Sequence, residues 1–243
     1  MKALLLAAGR GTRISRYLQG NPKCTVDVCG TPLIKYTLSM LKSKGIKDIA
    51  IVTGYRHEII EELVMEDGVR IYYNPFYDVT NSIASAWFAK EFICDDDIMI
   101  MNADVFCEES IYDTILNIHK TPVMLADTTR KEEADYKFYF EGERLLKYGK
   151  ELEGDDISGE YVGIATLKKE FLPCFINRLE EMINTQQHSV WWENVLYSMT
   201  EELDILVHNI AGNFWAEVDY IEDYERILNF VKKRKSENSC HND

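Results

Sequence analysis

The chain has 243 residues, 46% of them hydrophobic and 28% charged, a balance that excludes a mainly disordered protein and suits one α/β domain over residues 1–243. Its 27 lysines and arginines against 41 aspartates and glutamates leave a formal charge of −14. Such a surface repels nucleic-acid phosphates at long range, so no nucleic-acid partner is expected, while a small anion can still enter a local basic pocket.

No apolar run reaches the roughly 18 residues of a membrane span, so no membrane insertion is expected. The opening Met1-Lys2-Ala3-Leu4-Leu5-Leu6 briefly imitates a signal peptide, but its apolar run is too short and Arg10 and Arg13 follow at once. The six cysteines (Cys24, Cys29, Cys94, Cys107, Cys174, Cys240) form no CxxC pair and have no metal-ligand spacing. Reduced thiols in the cytoplasm are the expectation.

In chain order, residues 2–7 form a continuous apolar run ending in small residues and glycine, the pattern of a strand buried on both faces. Residues 31–44 carry Leu33, Ile34, Thr37, Leu38 and Leu41 at helical spacing, with Pro32 near the start and Gly45 past the end. A strand over 48–53, a helix marked by Ile59, Ile60, Leu63 and Val64, and a short strand over 69–73 follow. A helix over 82–92, a strand over 98–101, a helix near 109–119 and a strand near 122–127 complete the first half. This alternation argues for a three-layer α/β fold: a mostly parallel, Rossmann-like sheet with helices on both faces. After about residue 127 the rhythm changes. Strands over 136–140, 144–148 and 161–167 form a small antiparallel section. Helices over 169–184 and 190–199, a strand near 204–210 and a last helix with Ile221, Tyr224, Ile227, Leu228 and Val231 on one face follow. The basic run Lys232 to Lys235 reads as a charged helix end that frays.

The first strand runs into Leu6-Ala7-Ala8-Gly9-Arg10-Gly11-Thr12-Arg13. Ligands of open α/β sheets bind beyond the carboxyl ends of the strands, where small residues let backbone N–H groups cradle phosphate. Arg10 and Arg13 add positive charge there. Ile14 stands where a dinucleotide fingerprint needs its third glycine, and the Gly-Lys-Ser/Thr of a P-loop is absent. Pro22-Lys23 and Gly30-Thr31-Pro32-Leu33-Ile34 come next. In order and spacing, these three segments resemble the nucleotidyltransferases that make activated sugars and activated phospho-alcohols. The molybdenum-cofactor guanylyltransferases have a related opening, but usually carry glycine at the second small residue and fit less well.

The resemblance implies a GT-A-like nucleotidyltransferase fold and transfer of a nucleoside monophosphate to a phosphate-bearing acceptor, with pyrophosphate leaving. The acceptor is already an anion near pH 7, so catalysis rests on positioning and electrostatics rather than on a protein nucleophile. Arg13 matches the family's loop arginine and Lys23 its catalytic lysine. Asp104, at the end of the apolar strand 98–101, matches the family's metal-binding aspartate, and Asp219 in Glu217-Val218-Asp219 the second Mg²⁺ ligand. Asp219 also suits a helix N-cap, and the two roles are compatible. Asp223 reads as structural, and Asp95-Asp96-Asp97 as a solvated loop.

Asn81-Ser82-Ile83-Ala84-Ser85 resembles the Asn-x-x-x-Ser pattern of cytidylyltransferases acting on phosphocholine and related small phospho- or phosphono-compounds. Asn81 and Ser85 are candidate contacts to base or ribose, and Ser82 suits a helix N-cap equally well. With residues 6–13 they make the nucleotide-binding set, in a nucleotide-binding half over about 1–127. Asp127, Tyr136, Glu160, Tyr161, Trp191, Trp192 and Glu193 are the candidate acceptor pocket, in a half over about 128–243. Paired tryptophans are commonly core, but a ring facing the crevice would take a cationic head group, and acidic neighbours suit an amine. The five histidines are scattered and form no catalytic arrangement.

The expected activity is therefore Mg²⁺-dependent transfer of CMP from CTP to phosphocholine, aminoethylphosphonate, phosphoglutamine or a similar acceptor. The resemblance also implies a role in bacterial cell-surface or capsule biosynthesis. Two alternatives stay open. One is a hexose-1-phosphate nucleotidyltransferase making an NDP-sugar. The other is an inactive nucleotide-binding regulatory protein, against which the presence of Lys23, Asp104 and Asp219 argues. Oligomeric state is not legible in the sequence.

Overall fold

Apolar runs that are buried on both faces build the centre of the sheet. In the computed structural model, which describes residues 1–11, 13–14 and 17–239, the strands β1 (Lys2–Ala7), β2 (Ile49–Thr53), β3 (Arg70–Tyr73) and β4 (Ile98–Asn102) run parallel in the order β3-β2-β1-β4. Period-two alternation along β1 splits the core. Leu4 and Leu6 face the cluster formed with α3 (Ser82–Phe88), α5 (Leu172–Asn184) and α6 (Asn194–Tyr197). Ala3, Leu5 and Ala7 face α1 (Leu33–Ser43), α2 (His57–Val64) and α4 (Glu109–Leu116). Helices thus cover both faces of the sheet.

Beyond β4 the sheet turns mixed. β9 (Gly159–Leu167) is antiparallel to β4 and to β6 (Val123–Asp127), while β10 (Leu206–Asn209) is parallel to β6. The hairpin β7 (Lys137–Glu141) and β8 (Arg144–Gly149) adds the far edge, and β7 pairs back onto Gly159 and Glu160 of β9. The sheet curls shut at that end. Beside it, β5 (Val105–Cys107) and β11 (Trp215–Glu217) form a separate two-stranded antiparallel ladder.

The last helix, α7 (Ile221–Ser239), covers a third cluster that contains Ile14, Val26, Val28, Leu33, Phe106 and Val218. Tyr224 donates its hydroxyl to Asp27 O at 2.6 Å, and Arg234 pairs with the buried Glu108. The basic run at residue 234 is therefore docked, which corrects the frayed end expected from its charge.

Several element bounds move. The helix expected over 82–92 ends at Phe88, the one over 190–199 narrows to Asn194–Tyr197, and the one over 169–184 opens with a 3-10 turn at Lys169–Phe171. Asp97 is not a solvated loop residue, since it takes Lys168 Nζ at 3.0 Å and Lys169 N at 2.9 Å. Among the described residues Cys24, Cys29, Cys94, Cys107 and Cys174 are free thiols, and Cys240 lies outside them. No described helix is long and apolar enough to cross a membrane.

Candidate active site

The parallel strands β1 to β4 all end at one edge of the sheet, and there a cleft of about 530 Å³ opens. Its lining includes residues 6–11, Arg13, Lys23, Asn81, Ser85 and Asp104 from the first half, and Tyr136, Tyr161, Trp191, Glu193 and Asp219 from the second. Thr12, expected in the nucleotide loop, lies outside the described residues.

Gly11 has φ +58, and a Cβ there would meet Lys23 Cγ at 2.5 Å. The glycine is therefore what lets the lysine stem cross the loop. Lys23 Nζ donates to Asp104 Oδ2 at 3.2 Å and to Asp219 Oδ1. Arg13 Nη1 reaches the other Asp219 oxygen at 2.5 Å. Val218 N donates to Asp104 O at 3.0 Å, which lays the 217–219 segment beside the end of β4.

One oxygen from each of Asp104, Glu217 and Asp219 lies within 4.8 Å of the others. An all-oxygen carboxylate set suits a hard divalent cation. Glu217 is a residue the sequence reading passed over, although its spacing carried the signal. Asp219 N turns back to donate to Glu217 O at 3.0 Å, which keeps the two acids close, while Val218 between them is fully buried.

The charges shift one another. Burial opposes the Lys23 ammonium, but Asp104 and Asp219 outweigh it and hold its pKa above that of an ordinary lysine. Burial also acts against the Asp219 carboxylate, and Lys23 and Arg13 reverse this, holding it below the usual range. Glu217 is pushed well up by burial and by the like charges of Asp104 and Asp219.

On the first-half side of the cleft, Arg10 pairs with Asp78 at 2.8 Å. Asn81 is the cap of α3, accepting Ser82 N at 2.8 Å, whereas the Ser82 hydroxyl accepts Trp192 N at 2.9 Å. Ser82, offered as the cap by the sequence, thus ties α3 to the second half instead. Ser85 accepts from the buried Asn74 at 3.1 Å.

On the other side, Trp191 meets Tyr136 edge-on at 5.2 Å, and Tyr136 stacks on Tyr197 at 5.8 Å. Tyr161 and Tyr197 also line this part of the cleft, with their hydroxyls buried. Burial pushes Glu193 up to about 7, against its own backbone N–H and the hydrogen bond from Asn102 Nδ2 at 3.5 Å. Lys150, which the sequence reading did not single out, joins the lining, paired with Asp135 at 2.7 Å and 5.8 Å from the Trp191 ring centre.

Asp127, Glu160 and Trp192 fall elsewhere. Asp127 accepts Trp215 Nε1 at 2.9 Å and the Thr129 backbone at 2.9 Å. Glu160 holds Arg130 and accepts Asp135 N at 2.8 Å. Trp192 is fully buried, with Nε1 donating to Asn102 Oδ1 at 3.1 Å. Their polar groups are committed inside the fold, away from the cleft lining.

Comparison with known proteins gives the family and the fold. The model of the MobA-like NTP transferase domain matches residues 3–170. A choline-phosphate cytidylyltransferase of Streptococcus pneumoniae is 28% identical over 240 residues, covering 96% of this chain and 99% of the relative. A CTP:phosphoglutamine cytidylyltransferase of Campylobacter jejuni is 25% identical, covering 93% and 98%. The solved CTP:phosphocholine cytidylyltransferase of Streptococcus pneumoniae superposes with a TM-score of 0.79 at 24% identity, over 95% of this chain and 98% of that one, a likeness of fold.

Proposed function

The chain belongs to the MobA-like NTP transferase family, and on that premise we propose that it is a cytidylyltransferase that moves CMP from CTP to a small amine-bearing phosphate or phosphonate. The observation that carries this reading is the meeting of Arg13, Lys23, Asp104 and Asp219 at the carboxyl edge of the parallel strands. The full-length similarity to cytidylyltransferases supports the choice of base.

An acceptor oxygen attacks the α-phosphorus of CTP, the bond to the β-phosphate breaks, and pyrophosphate leaves. The chain's own task is to hold two anions together and offset the charge of the phosphates. Residues 6–11 approach the triphosphate through backbone N–H groups, Arg13 faces the departing pyrophosphate, and Lys23 faces the α-phosphate. Asn81 and Ser85 stand beside the nucleoside. Asp104, Glu217 and Asp219 would hold Mg²⁺, which when bound neutralises phosphate charge and orients the oxygens. Tyr136, Tyr161, Trp191 and Glu193 form the acceptor end, where rings and an acid suit an ammonium head.

Residues 1–127 supply most of the nucleotide side of a single domain, and residues 128–243 supply the acceptor side together with Glu217 and Asp219. A cytoplasmic location goes with this reading, because CTP is made there.

The test is pyrophosphate release with Mg²⁺ across CTP, UTP, dTTP and GTP against phosphocholine, phosphoethanolamine, aminoethylphosphonate, phosphoglutamine and glucose-1-phosphate. Turnover with CTP and an amine-bearing acceptor is expected. Turnover confined to UTP or dTTP with the sugar phosphate would overturn the reading.

A further inference from the structure

Arg13 is held on two sides by adjacent residues. Asp219 Oδ2 takes its Nη1 at 2.5 Å, and the Tyr220 ring centre lies 5.6 Å from its guanidinium carbon. Asp135 is a more distant third neighbour at 3.9 Å. Tyr220 is 51% exposed, so core packing does not explain a large ring at this place.

The backbone that carries the ring is nevertheless anchored. Tyr220 N donates to Asp223 Oδ2 at 3.0 Å at the start of α7, and α7 is fastened through Tyr224 to Asp27, four residues past Lys23. The other loop arginine repeats the arrangement: Arg10 pairs with Asp78 and lies 5.4 Å from the Tyr55 ring centre.

We propose that Tyr220 is a positioning residue, whose ring holds the Arg13 guanidinium by its face and leaves the N–H edge free for triphosphate oxygens. This rests on the reading that Arg13 meets the triphosphate. A guanidinium has five donors in its plane, and a ring on its face uses none of them. A carboxylate partner occupies those same donors. Asp219 is moreover shared with Lys23 and belongs to the carboxylate set suited to a cation, so its hold on Arg13 weakens whenever that set is otherwise engaged. The ring is indifferent to that competition. It keeps a long, half-exposed side chain aimed into the cleft while the charges around it are redistributed.

The experiment measures CTP dissociation constants by calorimetry with Mg²⁺, together with kcat and KM. The proteins are the wild type, Tyr220→Leu, Tyr220→Phe, Arg13→Ala and the Arg13→Ala/Tyr220→Leu double variant. Exposure of Tyr220 favours folded variants, and circular dichroism checks this. Tyr220→Leu is expected to weaken CTP binding about fivefold, with the acceptor KM unchanged. Tyr220→Phe keeps the ring and restores binding. In the Arg13→Ala background, Tyr220→Leu adds nothing, because the interaction it removes is already gone. Wild-type binding in Tyr220→Leu, a Phe variant as weak as the Leu variant, or full additivity in the double variant would each overturn the proposal. A wild type that binds CTP without releasing pyrophosphate would sink the catalytic reading alone, and the binding constants would still decide the role of Tyr220. A wild type that binds no triphosphate would overturn both.

Discussion

Lys23 and Asp219, 196 residues apart in sequence, meet through the lysine ammonium, which Asp104 shares at 3.2 Å. One cation thus answers two of the three carboxylates at the end of β4. Its removal leaves both a reaction without its positioned charge and a cluster of acids with Arg13 alone, among the described residues, to offset it. Lys23→Ala is expected to lower turnover by about three orders of magnitude and to lower the melting temperature as well. Pyrophosphate release and thermal unfolding measure the two effects separately.

The carboxylate triad gives a metal prediction. Adding Mg²⁺ or Mn²⁺ should raise the melting temperature of the wild type, because an ion bound by the native state alone stabilises it by mass action. Asp219→Asn should abolish that rise. Chelation should stop turnover, and restored Mg²⁺ should return it. Equal thermal shifts in wild type and variant would remove the triad as the site.

Glu193 sets a pH dependence. Its carboxyl is pushed up to about 7 from an ordinary 4.5, chiefly by burial. Between those values the folded protein keeps the proton that the unfolded chain has lost. The stability this gives is complete below about 4.5 and is lost as pH rises through about 7. Over the whole window it amounts to about 3 kcal/mol. Urea unfolding from pH 5 to 8 should show wild-type stability declining against Glu193→Gln. The KM for an amine-bearing acceptor should fall over the same range in the wild type and stay flat in the variant.

Gly54 follows β2, and a Cβ there would meet Ala8 O at 2.7 Å and Tyr77 Cβ at 2.8 Å. The end of β2 thus lies directly against the glycine-rich loop after β1. Gly54→Ala is expected to destabilise the protein by about 1–3 kcal/mol and to weaken CTP binding, because the atom it strikes is loop backbone. A variant matching the wild type in both unfolding and calorimetry would show that the loop yields freely.

The sequence made the central strands and the charged set legible for the same reason. β1 and β4 are buried on both faces, so they read as unbroken apolar runs, and the small or acidic residues that interrupt them mark the cleft. The ladder of β5 with β11 was not legible, since each strand has three residues and Trp215 pairs with Cys107 far back in the chain. Nor could the sequence tell Trp191 from Trp192. The bond from Trp192 N to Ser82 Oγ and the bond from its ring to Asn102 belong to tertiary structure, and they put Trp192 inside and leave Trp191 at the cleft. Asp127 and Glu160 misled for a related reason. A buried acid marks a site only when the fold leaves its oxygens free, and here Trp215 and Arg130 take them.

The docking of α7 has a consequence for biogenesis. Tyr224 and Asp27 are separated by 197 residues, and Ile14, Val26 and Val28 share one apolar cluster with Ile227 of this helix. At ribosomal speeds of roughly 5–20 residues per second, the segment bearing Arg13 and Lys23 waits roughly 10–40 s for the part that closes over it. The nascent chain therefore carries an uncovered greasy flank through most of its synthesis, and catalytic competence arrives in one late event rather than strand by strand.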